Sequence, residues 1–164
     1  MAANMPTLSV LVPVYFNEQN LPTTLPALQQ VAAGLPAGMD CEIICVDDGS
    51  GDGSWSVLRE AARHDPRIKA VRLSRNFGAY MALLAGLDVA RGDCVAVIMA
   101  DLQDPPELLL QMVASWRNGN KIVIASREQR RHLTPEDIMR RPSKPGEFQP
   151  QPGLLERARR LVTG

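Results

Sequence analysis

Histidine and cysteine are scarce, and charge of either sign is not in excess. The 164 residues hold two histidines and three cysteines, and the charged side chains cancel to a formal net charge of zero. Zero net charge gives no global attraction to nucleic acid, so no nucleic-acid partner is expected. His64 falls at a helix end and His132 in the C-terminal tail, and no Ser/His/Asp arrangement occurs at a recognisable spacing. Cys41, Cys45 and Cys94 fit no zinc pattern. They read as buried, reduced thiols, which points to a reducing, cytosolic compartment. No run reaches the roughly 18 apolar residues of a membrane span. The N-terminus, MAANMPTLSV, lacks a basic segment followed by an apolar one, so no signal peptide is expected. The length is enough for one domain with a full core.

What the chain does have is alternation. LSVLVPV (8–14), residues 41–46, residues 68–73, CVAVIM (94–99) and KIVIAS (121–126) read as five buried strands, the first broken at Pro13. Helical spacing of apolar residues falls between them, at 21–35, from Ser54 to about Arg63, from about Tyr80 to near Gly92, and at 106–118. Pro22 suits a helix start, whereas Pro26 is awkward inside one. Ser54 is placed to cap its helix. Asp104 and Glu107 have capping-box spacing, and Pro105 and Pro106 suit a first turn. Strands alternating with helices predict an α/β fold, a mostly parallel sheet with helices on both faces. After Arg127 the composition changes. Nine of the eighteen Lys and Arg residues and five of the thirteen prolines lie from there to the end. Residues 1–127 read as the folded domain and 128–164 as a Pro/Arg-rich tail, disordered apart from a short basic helix near 154–161.

In open α/β sheets, ligands bind outside the carboxyl ends of the strands. Asp101 stands where the fourth strand ends, with Gln103 two residues on. Both can point to the same side of an extended segment. A carboxylate and an amide oxygen suit Mg²⁺ or Mn²⁺ that also holds substrate phosphates. A polar turn without a ligand is the other reading. The second strand ends in Asp47-Asp48-Gly49-Ser50-Gly51-Asp52-Gly53-Ser54. This is not the Gly-x-Gly-x-x-Gly of a dinucleotide loop, and its acids would repel a pyrophosphate. Paired acids at a strand end can accept hydrogen bonds from ribose hydroxyls or a base N–H, or they can serve only the turn. Arg75 and Arg127 each follow a strand, and an Arg fork binds phosphate bidentately.

Four stretches occur in one order: Val12-Pro13-Val14-Tyr15 with Asn17-Glu18, Val46-Asp47-Asp48-Gly49-Ser50 with Asp52-Gly53, Arg75-Asn76-Phe77-Gly78, and Ala100-Asp101-Leu102-Gln103-Asp104-Pro105-Pro106-Glu107. Over residues 7–127 the chain resembles the family-2 glycosyltransferases, of the dolichol-phosphate mannosyltransferase and bactoprenol (undecaprenyl-phosphate) glycosyltransferase type. The resemblance implies a GT-A, Rossmann-like fold. It implies inverting transfer of a sugar from a UDP- or GDP-linked donor to a polyprenyl phosphate, at the cytoplasmic face of the membrane. Carried over, Pro13, Tyr15, Glu18 and Asp47 or Asp48 hold the nucleoside. Arg75 and Gly78 join the substrate-binding set, and Asp101 and Gln103 hold Mg²⁺ or Mn²⁺ with the diphosphate. Asp101 and Arg127 are the expected catalytic groups.

Three departures from the family pattern stand out. Met99 occupies the first position of a usual Asp-x-Asp, Ala79 stands where Lys is common, and the motif resemblance stops near Arg127. The alternative reading is therefore a non-catalytic nucleotide-sugar-binding fragment with the donor half alone.

Overall fold

A computed structural model describes residues 5–125 of the chain. Strands and helices alternate from the start: β1 (Thr7–Val14), α1 (Leu21–Ala33), β2 (Asp40–Asp47), α2 (Ser54–His64), β3 (Ile68–Arg72), α3 (Ala79–Val89), β4 (Cys94–Val97) and α4 (Leu108–Arg117). The four strands form one sheet in the order β3-β2-β1-β4, and every pairing is parallel. The chain divides into two compact units, Met1–Gln111 and Met112–Gly164. The sheet, α1 to α3 and all the site residues discussed below lie in the first. Of the second, the described residues are the end of α4 and a segment closed by backbone bonds from Asn118 and Gly119.

β1 and β2 are central strands, and both faces of each are covered. Leu8, Val10, Leu11, Val12, Val14, Ile43, Ile44 and Val46 are all buried, each contributing about 1.5–3 kcal/mol of apolar transfer. Continuous apolar runs, not alternating ones, are what two-sided burial requires. α3 lies close over these strands. A Cβ at Gly86 would sit 3.2 Å from Leu11 and 3.3 Å from Val46. At the amino end, Glu42 ties three strands together. It accepts from Ser9 Oγ (2.5 Å), from the Arg91 N–H (2.7 Å) and from Lys69 Nζ. Burial pushes its carboxyl up, but these hydrogen bonds outweigh that and hold it below the usual range.

The winding reverses between β1 and β4. The chain runs outward from β1 to β2 and β3, then returns to β1's other side. Pro13 shapes the gap there. Leu11 O accepts from Ile98 N at 3.1 Å, so residues 11 and 13 face β4. Pro13 has no N–H to continue that ladder, and the last pair is Leu11 with Val97. The sequence reading broke β1 at Pro13. In the structure β1 runs through to Val14 on the β2 side, and it is β4 that ends early, at Val97 instead of Met99.

Other expectations are corrected. Lys121 to Ala125 carry no strand, and Ile122 and Ile124 are 66% and 82% exposed. β-branched composition gives an extended segment no hydrogen bonds until a ladder partner supplies them. Gly53, not Ser54, is the N-cap of α2, because the Gly53 carbonyl accepts from Val57 N (3.1 Å); Ser54 Oγ instead accepts from Asn17 N (2.9 Å). Pro26 does lie inside α1. Arg127, His132, the tail and the helix near 154–161 lie outside the described residues, as does Ser126.

Candidate functional site

The carboxyl ends of β1 and β4 border a cleft of about 280 Å³. Its walls are Pro13–Tyr15 and Asn17 after β1, Asp48 after β2, Asn76, Gly78, Ala79 and Ala82 around the start of α3, and Met99–Asp101 after β4. This is the crevice at the reversal of strand order, where ligands of open α/β sheets bind. A larger groove of about 540 Å³ runs between α1 and α2, lined by Leu25, Pro26, Val57 and Ala61 among others. Its lining includes no residue from the carboxyl end of a strand and none of the predicted site residues, so the smaller cleft is the candidate.

Of the sequence-predicted residues, Pro13, Tyr15, Asp48, Gly78 and Asp101 line this cleft together. Asp48 is 3% exposed, and its two oxygens accept from Phe77 N and Gly78 N, each at 2.8 Å. It thereby ties the β2 loop to the entrance of α3. Gly49 next to it has φ +69°, and a Cβ there would lie 2.5 Å from the Arg75 carbonyl carbon. Only glycine fits that approach. Gly78 has φ +93° and is the N-cap of α3, which brings the free N–H groups of that helix start to the cleft.

Asp47 and Glu18 act beside the cleft, not on its wall. Asp47 is fully enclosed. Its Oδ1 accepts from Ser50 N (3.1 Å) and its Oδ2 lies 3.2 Å from Arg72 Nε. The contact with Arg72 is an ion pair without hydrogen-bond geometry, so Oδ2 is buried and makes no hydrogen bond. Of the two acids left open by the sequence, Asp48 is the one that lines the cleft. Glu18 accepts from Gly53 N (2.9 Å), and Asp52 accepts from Glu18 N (3.2 Å). Arg75 is exposed and stacks its guanidinium on Phe77 at 4.3 Å.

Asp101 and Gln103 come together, but as a hydrogen-bonded pair. Gln103 Nε2 donates to Asp101 Oδ2 at 2.6 Å and Gln103 N to Oδ1 at 3.3 Å. Their oxygens are hard donors of the kind Mg²⁺ and Mn²⁺ take, so the chemistry of the donor set fits such an ion. No group of three or more His, Cys, Asp or Glu side chains able to hold a metal occurs among the described residues. Among the described residues, two non-glycine residues have positive φ, Phe16 (+53°) and Leu102 (+49°). Each directly follows a cleft residue, Tyr15 or Asp101, and such strain collects at functional sites.

The sequence reading gave no site role to Asn17, Asn76 and Thr24. Asn17 Oδ1 accepts from Tyr15 N (2.9 Å) and Asn76 Oδ1 from Gly78 N (3.0 Å). Asn two residues before or after a turn N–H is a recognisable turn signal. Thr24 Oγ1 donates to Ala100 O at 2.6 Å, across 76 residues. A buried Thr on an apolar helix face was the one cue to it.

Residues 9–161 match the model of the family described as Glycosyl transferase family 2. The chain is 43% identical over 126 residues to the uncharacterized glycosyltransferase YkcC of Bacillus subtilis, covering 77% of this chain and 38% of that protein. It is 42% identical over 123 residues to an undecaprenyl-phosphate 4-deoxy-4-formamido-L-arabinose transferase of Pseudomonas aeruginosa, covering 74% and 36%. The chain thus spans under two-fifths of the length of these relatives. Among solved structures it is similar to the mannosyltransferase PcManGT from Pyrobaculum calidifontis in complex with GDP-Man and Mn²⁺. That match has a TM-score of 0.56 and 26% identity, over 66% of this chain and 31% of that one. The parallel sheet and its helices are those of a GT-A glycosyltransferase fold. With the family matched over nearly the whole chain, this protein belongs to glycosyl transferase family 2.

Proposed function

We propose that the cleft between the ends of β1 and β4 binds the nucleoside diphosphate of a UDP- or GDP-linked sugar together with Mg²⁺ or Mn²⁺, for inverting transfer of the sugar to a polyprenyl phosphate. The observation that carries this is the meeting of Tyr15, Asp48, Gly78 and Asp101 in one crevice at the strand reversal. Pro13 and Tyr15 border the nucleoside, and Asp48 offers it remaining lone pairs while gripping the α3 entrance. Glu18 and Asp47 act by holding the β2–α2 loop in shape. Asp101, with Gln103 once its amide turns, holds the cation.

A cation there neutralises the charge that grows on the leaving diphosphate. Arg75 is proposed to add positive charge at the same edge. A phosphate acceptor is already an anion and needs no general base, which accounts for a site built without histidine. The names of the Pseudomonas relatives support the polyprenyl-phosphate acceptor, and the ligands of PcManGT support the donor and metal. Such an acceptor places the work at a membrane surface, on the cytoplasmic side. No helix among the described residues is long and apolar enough to cross a membrane.

The test is calorimetric titration of the full chain with UDP, GDP and dTDP, and with their sugars, in Mn²⁺ and in EDTA. Binding of one nucleotide that is strong in Mn²⁺ and weak in EDTA is expected. Equal binding in both, or none to any nucleotide, contradicts the proposal.

A further inference from the structure

Arg72 is the last residue of β3 and pairs in the ladder with Asp47, the last residue of β2. It is not on the cleft wall, and its side chain is 45% exposed. Its guanidinium nevertheless meets three groups at once. Nε lies 3.2 Å from Oδ2 of the enclosed Asp47, and Nη2 donates to Ser50 O at 3.3 Å. Cζ lies 5.5 Å from the centre of the Trp55 ring, at the start of α2. Asp47 Oδ2 is buried without a hydrogen bond, so its charge is compensated by the Arg72 ion pair. Ser50 is gripped twice, because its N–H also donates to Asp47 Oδ1 at 3.1 Å. Ser50 in turn reaches the cleft residues. Its Oγ accepts from Phe16 N at 3.1 Å, and a Cβ at Gly51 would stand 3.4 Å from the Phe16 ring. Phe16 holds φ +53°, a value that persists in such a residue only where its surroundings enforce it. Tyr15, on the cleft wall, directly precedes it and meets its ring edge-on at 4.7 Å.

We infer that Arg72 is a positioning residue for the cleft: it touches no ligand, and through Asp47 and Ser50 it sets the backbone of Tyr15 and Phe16. The inference rests on the proposed nucleotide-sugar reading and adds a residue that sets nucleotide affinity from outside the cleft. The task needs a planar fork. Two donors reach acceptors on two different residues while the flat face stays over Trp55. A lysine ammonium keeps the charge beside Asp47 but is a single point without that face, and it cannot make all three contacts. An ion pair that only stabilised the fold would need the charge alone. Exchange of Arg for Lys therefore separates the two roles.

The experiment uses the full chain, its Arg72→Lys and Arg72→Gln variants, and a double variant carrying Asp47→Asn with Arg72→Gln. Circular dichroism gives the melting temperature. Calorimetry gives the affinity for UDP and GDP in Mn²⁺ at a temperature where each variant is folded. Arg72→Lys is expected to melt close to wild type yet bind the preferred nucleotide about tenfold more weakly, the size of one lost hydrogen bond. Arg72→Gln leaves the Asp47 charge buried and unpaired, so it melts well below wild type. The double variant removes that charge while Asn keeps an acceptor for Ser50 N. It is expected to regain the fold and to remain about tenfold weaker in binding. Without nucleotide, the Tyr15 and Phe16 amide resonances of Arg72→Lys are expected to shift from those of wild type. Wild-type affinity in both Arg72→Lys and the double variant overturns the inference while leaving the nucleotide reading intact. So do unshifted Tyr15 and Phe16 resonances. A wild-type chain that binds neither nucleotide overturns both.

Discussion

Asp48 links stability to the site, and Asp48→Asn separates its two roles. The wild-type carboxylate accepts two backbone N–H bonds at 2.8 Å while 3% exposed. Asn keeps one acceptor oxygen and turns an amide NH₂ toward the other N–H. One hydrogen bond to a charged group is lost, about 1.5–3 kcal/mol, and a donor is left facing a donor. A total loss of about 2–4 kcal/mol follows, which for a chain of this size lowers the melting temperature by roughly 5–15 °C. One of the two N–H groups, of Phe77 or Gly78, loses its partner, so the α3 side of the cleft loosens and nucleotide affinity falls about tenfold or more. Metal dependence stays as in wild type, because Asp101 is untouched. Urea unfolding gives the first quantity and calorimetry the second. A stability change within about 0.5 kcal/mol, the range of an inert surface substitution, together with unchanged affinity, would refute the reasoning.

Three further outcomes are expected. Asp101→Ala should remove most nucleotide affinity in Mn²⁺ and abolish the difference between Mn²⁺ and EDTA; a variant still weakened by EDTA would move the cation elsewhere. The Arg67 guanidinium, helped by Gln29 and the Arg67 N–H, holds the Asp65 carboxyl far below the usual range. A depressed folded-state value stabilises above the ordinary carboxyl pKa near 3.9 and is lost as pH falls below it. Asp65→Asn should therefore be less stable than wild type at pH 6, with the gap narrowing steadily as pH falls below about 4; a constant gap in urea midpoints between about pH 4 and 2 would contradict the ion pair. Burial pushes Cys41 and Cys94 up to about 11 and Cys45 to about 12, so iodoacetamide at pH 8 should label all three slowly until denaturant is added. Rapid labelling of the native chain would count against these thiol environments.

The strand and helix alternation was legible because two-sided burial leaves continuous apolar runs, as in β1 and β2. The parallel sheet and the strand-end position of Asp101 came from that pattern with the four motifs. Residues 121–125 misled for the opposite reason: composition states a preference, and a strand exists only with a ladder partner. Pro13 was readable as an interruption, but which neighbour it interrupts depends on register, and so it ended β4 and left β1 whole. The acids were harder to sort. Asp47, Asp48 and Glu18 carry the same charge, and only the direction each points separates the enclosed ion pair from the cleft wall and the loop brace. The partner of Thr24 was illegible because the Ala100 carbonyl belongs to a backbone 76 residues away.

The central claim is that nucleotide and cation meet between the ends of β1 and β4. Paramagnetic broadening of the full chain's backbone amide spectrum by Mn²⁺ with UDP or GDP tests it most directly. The account predicts loss of signal for Tyr15, Gly78 and residues 100–103, with Glu60 and His64 in the α1–α2 groove unaffected. Broadening centred on that groove, or none with either nucleotide, would contradict it.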